Sequence, residues 1–345
     1  MRHHPNGRGY ADRMTPLVHS DFGTGRHREA SLIRHALGSV HDEVLVAGLA
    51  GGIGFMYFVF EYAGHPPMPT IVAQAHPQPW VQTALGRLHV PYEATRSAKP
   101  RWGRMCAALD DGRPVFCTVD RSRLPWHEGA SEMAGADPYT VLVTGYEGPE
   151  GETLYVEDGA DVPYRIAREE FGAAWTGHRK GHHQMVVPTG PATGEPDLDE
   201  AVATTAARLT GPVLGNQFDV NFGFSGMAKF AAQLRDTTTK TGWERRFGTP
   251  EAFRVGTGRL YACLEEEWTA PGATRPLYAD FLDLTGRPEA ASLLRESARH
   301  WSELAAMART ADPDSDAAAR RALFDACAER VDRSLDLERR AVALL

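Results

Sequence analysis

A chain of 345 residues, 42% hydrophobic and 24% charged, is long enough for two domains that each bury a core. Its formal net charge of −8, from 37 basic and 45 acidic side chains, excludes the overall basic excess expected of a nucleic-acid binder. Four widely spaced cysteines without a Cys-x-x-Cys pair, a polar N-terminus without a signal core, and no apolar run of bilayer length give a reduced, cytoplasmic protein with no membrane partner.

Residues 1–24 read as a flexible arm, and His3-His4 within it as tail rather than metal site. From Gly25 the pattern changes. Ala30, Ile33 and Leu37 share one face of a helix, with Leu32 and Ala36 beside it. At its start sit His27 and Arg28, where backbone N–H groups are unpaired and the macrodipole is positive. Many nucleophile-bearing folds place a cysteine there, because that field lowers a thiol pKa. Residues 48–55, Gly-Leu-Ala-Gly-Gly-Ile-Gly-Phe, form a hinge. No Lys-Ser/Thr follows them, so close backbone packing is preferred to a phosphate loop.

Residues 55–62 read as a buried strand, closed by Gly64-His65-Pro66-Pro67. Tyr57 is the lone polar side chain from Gly54 to Phe60, and Glu61 emerges at the end of that run. Glu61 is either a rim carboxylate facing water or a partly desolvated base with a raised pKa. Short helices are predicted at 80–88 and 100–109, a turn at 110–113 and a buried strand at 114–120, continuing as Arg121-Ser122-Arg123-Leu124-Pro125-Trp126-His127. A strand around 137–146, a hairpin at 147–152 and a strand at 154–158 lead to a helix at 166–174. His178, His182 and His183 have no companion carboxylate motif, so no metal is expected, and no cofactor motif is found. A strand at 185–187 ends the first domain; residues 188–196, with three prolines and two glycines, predict a linker over 189–196. Helical patterns then cover 197–209, 223–234, 256–268, 277–284, 288–308 and 317–344.

These stretches together resemble the butirosin-pathway acyltransferase family, whose pattern is His-Cys, an Ala/Leu-rich helix and Gly-Gly-Ile-Gly-Phe. His27 matches the His, residues 51–55 match without departure, and Arg28 stands at the cysteine position. Val119-Asp120 running into Leu124-Pro125-Trp126-His127 resembles the family's Val-Asp strand and Leu-Pro-aromatic-His segment, which places Asp120 and His127 near the expected cleft. The family's catalytic His opens a strand six residues before Gly-Tyr; counting back from Gly145 reaches Tyr139. Asp158 matches the Asp that would orient that His. Phe222-Gly223-Phe224-Ser225-Gly226-Met227 and residues 275–282 resemble the helical domain fused C-terminally in this family. The resemblance implies an α+β protein, with a papain-like domain over 25–188 and a mostly helical domain over 197–345. It also implies acyl transfer from a carrier-protein thioester in secondary metabolism.

The triad positions read Arg28, Tyr139 and Asp158. Arg cannot act as a nucleophile, and Tyr, with a reference pKa of about 10, is a poor base near neutrality. Arg28, joined by Arg26 and His27, suits a sulfate, phosphate or carboxylate at a helix start. The expected catalytic set is therefore Glu61, Asp137, Tyr139 and Asp158. The expected substrate-binding set is Arg26, His27, Arg28, Tyr57, Asp120 and His127. An anion clamp facing a base serves an intramolecular displacement. The leading expectation is aziridine closure with loss of sulfate on a carrier-bound substrate, as in azinomycin-type pathways, in a two-subunit assembly. The alternatives are direct attack of an amine on a carrier thioester, and a non-catalytic pathway scaffold.

Overall fold

The computed structural model describes residues 19–127 and 138–345. In chain order it contains α1 (Arg28–Ala36), α2 (Glu43–Leu49), β1 (Ile53–Phe60), β2 (Met68–Gln74), α3 (Trp80–Arg87), β3 (Tyr92–Thr95), α4 (Trp102–Asp110) and β4 (Val115–Asp120). It continues with β5 (Pro138–Glu147), β6 (Thr153–Glu157), β7 (Tyr164–Ala167), α5 (Arg168–Gly177) and β8 (Met185–Pro188). The remaining elements are all helical: α6 (Leu198–Thr210), α7 (Gly223–Arg235), α8 (Trp243–Arg246), α9 (Pro250–Glu265), α10 (Arg275–Leu284), α11 (Pro288–Arg309) and α12 (Ala317–Val342). The class is α+β, as expected, and among the described residues the strand pairings are antiparallel. Among the described residues no helix is long and apolar enough to cross a membrane.

Contacts divide the chain into two units. The first holds residues up to 25, 31–41 and 89–193. Its centre is a six-stranded sheet in the order β3-β8-β4-β5-β6-β7. Val115, Val119, Val141, Val143, Leu154 and Val156 are buried, as are Phe171 and Trp175 of α5. Register places Tyr139 opposite Val119 and Pro138 opposite Asp120. Within this unit His35 Nδ1 lies 2.5 Å from Glu157 Oε1, both side chains fully enclosed. Phe22 is buried against His35, and Asp21 pairs with Arg34. Around Asp21 and Phe22 the end of the expected arm is thus held against this unit.

The second unit holds residues 26–30, 42–88 and 194–345. The β1–β2 hairpin packs against α7 and α9, and α10, α11 and α12 pack in sequence beside one another. By contacts, residues 42–88 group with the C-terminal helices that cover their apolar strands. The expected linker is also tied down. Thr189 N donates to Pro91 O at 2.8 Å and Thr193 N to His89 O at 3.0 Å.

The glycine segment packs as expected. Gly52 has φ +60°, and a Cβ there would sit 2.3 Å from the Tyr278 ring. A Cβ on Gly54 would sit 2.7 Å from Gln74 O. Only glycine combines that backbone geometry with that approach.

Candidate active site

Two structures in the sheet unit bear on the relay positions. Asp120 ends β4, and its buried carboxylate accepts from Ser122 N at 3.2 Å and Ser122 Oγ at 2.7 Å, capping the short 3-10 turn that follows. Its Oδ2 also faces Arg123 Nε at 3.3 Å. Asp120 therefore shapes the turn, a correction to its expected substrate-binding role. The turn delivers Trp126 and His127. Asp158, just past β6, accepts at Oδ2 from Trp126 Nε1 and from His127 Nε2, each at 2.7 Å. An ionised carboxylate can only accept, so His127 donates to it from Nε2, which leaves Nδ1 as the ring nitrogen turned away from Asp158.

The surroundings hold this pair. Trp126 stacks on Tyr164 with ring centroids 4.2 Å apart. Burial, then the charges of Asp158 and Asp161, push the Tyr164 phenol up. Tyr139, buried, meets His127 edge-to-face at 5.0 Å, and the Arg121 guanidinium lies 5.4 Å from the Tyr139 ring centre. Asp158 orients a histidine, as the resemblance implies, but that histidine is His127 rather than a residue at position 139. The Tyr139 ring packs edge-on against His127. Asp137 lies outside the described residues.

The helix start belongs to the second unit. His27 is buried and stacked flat on Trp80, centroids 4.3 Å apart. Its backbone N–H donates to Glu43 Oε1 at 2.7 Å, and its Nδ1 accepts from Ala30 N at 3.4 Å, capping α1. Burial, opposed by Gln74 and reinforced by the Arg28 charge, lowers its pKa to about 3. A neutral, enclosed imidazole is not an anion contact, so His27 leaves the substrate-binding set. Arg26 leaves it too: its Nη1 donates to Asp280 Oδ2 at 2.8 Å and its Nε lies 3.7 Å from Glu43. Arg28 opens α1 half-buried and remains a candidate on residue type and place.

His27 has a consequence for stability. Below its ordinary value of 6.5 the unfolded chain takes up a proton that the folded chain refuses until about pH 3. Its contribution is therefore complete above pH 6.5 and is lost as pH falls toward 3. By pH 5 the loss is about 2 kcal/mol. Urea unfolding at pH 7.5 and pH 5 should show a larger drop for wild type than for His27→Gln by that amount. Parallel drops would refute the assignment.

Glu61 is corrected as well. Its side chain is 59% exposed and lies 3.0 Å from Arg246 Nε, so the desolvation a base role required is not there. The strand does end at Phe60, but its end faces solvent. Tyr57 is enclosed, donating to Gln233 Oε1 and accepting from Trp243 Nε1, both at 2.9 Å. Burial raises its phenol pKa well above the usual value.

The thiols are unsuited to covalent catalysis. Burial pushes up Cys117, Cys263 and Cys327, the last to about 12, and burial with Asp110 raises Cys106. Replacing each with Ala in turn should leave turnover per folded molecule essentially unchanged. An acyl adduct on any of them, seen by intact mass, would overturn this.

Residues 27–159 match the model for butirosin biosynthesis protein H, N-terminal, and residues 173–345 match a domain of unknown function, DUF4872. The chain belongs to the family that the second domain defines, and its N-terminal part is similar to butirosin biosynthesis protein H. Among solved structures, a Bacillus anthracis protein described as a C39-like peptidase aligns with TM-score 0.32 and 14% identity, over 53% of this chain and 95% of that one. No curated protein matches the sequence.

Sequence reasoning placed His127 and Asp158 in separate sets and missed their pairing. The signal was the Leu-Pro-aromatic-His segment, which supplies a second histidine when the first is absent.

Proposed function

We propose that the chain is an antibiotic-type natural-product enzyme that works on a substrate amine without a covalent enzyme adduct. His127, oriented by Asp158, accepts a proton from the ammonium at Nδ1. The freed nitrogen attacks a neighbouring carbon of the same molecule, the C–N bond closes an aziridine ring, and the C–O bond to a sulfate group breaks. Sulfate leaves with the electron pair. The imidazolium then returns its proton to solvent. The observation that carries this reading is the His127–Asp158 contact at 2.7 Å in a chain whose nucleophile position is Arg28 and whose expected base position is Tyr139. A relay that lacks a nucleophile but keeps an oriented imidazole supports proton transfer and not acyl-enzyme chemistry.

The substrate is read as carrier-bound, and the active form as an assembly with a second polypeptide. On residue type and helix-start position alone, Arg28 is kept as a candidate anion contact. Arg28→Ala should lower kcat/KM about a hundredfold, since a charge-assisted contact strengthened in the transition state is worth roughly 3 kcal/mol. Unaltered kcat/KM would make Arg28 a helix-start residue only.

The test is to offer a carrier-bound vicinal amino sulfate ester to the chain, alone and with its co-expressed neighbours. Expected are equimolar free sulfate and a product lighter by the elements of sulfuric acid, formed only by the assembly. Amide formation with release of the carrier thiol and no sulfate would favour direct acyl transfer. Tight substrate binding without turnover would favour a scaffold. Full activity of the isolated chain would remove the second subunit.

A further inference from the structure

The second unit contains a cavity of about 470 Å3 that the proposed chemistry does not use. Its wall includes the end of β1, the 3-10 segment Gln217–Asn221, α7 and α8. Two cations face it, Lys229 and Arg246. Lys229 Nζ is held by Asn221 Oδ1 at 2.5 Å, which leaves two of its three N–H groups without a protein partner among the described residues. Among the described residues Arg246 makes no side-chain hydrogen bond. Its ion pair to Glu61 uses a carboxylate that is largely in water. Burial first, then the field of Arg246, holds the Lys229 ammonium below its ordinary range. Two cations thus share the recess, and the carboxylate paired with one of them is largely in water.

The apolar part of the wall is equally distinctive. Phe218 and Val220 stand 49% and 54% exposed beside Phe58. Their exposure is not slack in the chain. The Asp219 carboxylate accepts from Val213 N at 2.9 Å, Leu214 N at 2.6 Å and Asn216 N at 3.0 Å, and Asn216 caps the segment through Phe218 N at 2.9 Å. A rigid loop thus presents an aromatic ring and a branched side chain to solvent next to the two cations. Isolated exposed apolar residues need no explanation, but a fixed group of them lining a recess does.

We infer that this cavity is a binding site for an organic phosphate, with the phosphate between Lys229 and Arg246 and the apolar body on Phe58, Phe218 and Val220. The volume lies in the range of small-molecule sites. A guanidinium takes two oxygens in its planar fork while an ammonium takes a third as a point charge. A phosphate monoester has three free oxygens to offer, whereas a carboxylate has two.

The probe is phenyl phosphate, titrated calorimetrically against the full-length protein, with inorganic phosphate, benzoate and phenol as comparisons. Phenyl phosphate should bind more tightly than each of the three. Lys229→Met and Arg246→Gln should each weaken it about tenfold or more, the scale of a charge-assisted hydrogen bond. Lys229→Met also removes the Asn221 contact, so Phe218→Ala, at an exposed position, serves as the variant with an intact scaffold. It should weaken phenyl phosphate severalfold and leave inorganic phosphate unchanged. The inference is overturned if phenyl phosphate does not bind, if benzoate binds as well, or if Arg246→Gln and Phe218→Ala, folded by circular dichroism, bind it like wild type.

Discussion

Replacing Glu338 with Ala should be the most destabilising single change in this protein. Glu338, on α12, and Arg275, at the start of α10, are both fully buried, with Nε–Oε1 at 2.8 Å and Nη2–Oε2 at 2.9 Å. Ser297 Oγ and Trp301 Nε1 donate to Oε1 at 2.7 and 2.9 Å. The guanidinium also reaches Ala73 O and Ala273 O through Nη1, at 2.9 and 2.8 Å, and Gly54 O through Nη2, at 3.1 Å. One ion pair therefore fastens the β1–β2 hairpin to three helices of its unit. Removing the carboxylate leaves a cation without compensation in the core, which costs about 3–5 kcal/mol. That corresponds to a fall in Tm of about 10 °C. Arg275→Met with Glu338→Leu should recover most of the loss, because the penalty lies in the stranded charge rather than in the missing attraction. A fall below 1 kcal/mol for Glu338→Ala would show that water reaches the site.

None of this network is visible in local pattern, because Arg275 and Glu338 are 63 residues apart. What local pattern does encode is apolar periodicity. The aromatic run of β1, the β4 and β5 runs and the long α11 and α12 were legible, since each buries a continuous face. β2 was not, because Pro69 interrupts a short run and its partner strand supplies the order. α9 starts at Pro250, earlier than its apolar spacing shows, because Thr249 accepts from Ala252 N at 3.2 Å and Pro takes the first helical position. Residue type alone set the reading at Arg28 and Asp158, and for Asp158 the structure adds the contact to His127. It was misread where burial decides. Glu61 follows an apolar strand, yet water and Arg246 surround it. His27 sits at a polar helix start, yet Trp80 encloses it.

Mutation of the His127–Asp158 pair should give the largest loss of activity. His127→Gln removes the proton acceptor while keeping a side chain of similar reach, and a general base contributes about 10²–10⁴-fold. A loss of about a thousandfold in kcat is expected, with KM little changed, since the proton is taken in the transition state. The rate should also stop following an imidazole titration, and added imidazole should restore part of it to His127→Ala. Asp158→Asn tests the orienting group. Its oxygen can still accept from Trp126 and His127, so the geometry survives, but the charge that stabilises the imidazolium does not, and a weaker base remains. Its loss should be smaller than that of His127→Gln and should add little to it in the double variant, because the two act as a unit. Trp126→Phe removes the competing donor at Oδ2 and leaves the carboxylate on His127, so it should retain activity. If His127→Gln retains wild-type kcat, the pair is a structural tie between β6 and the segment after β4. If the losses of the two variants instead multiply in the double variant, Asp158 acts on the substrate by a route other than His127.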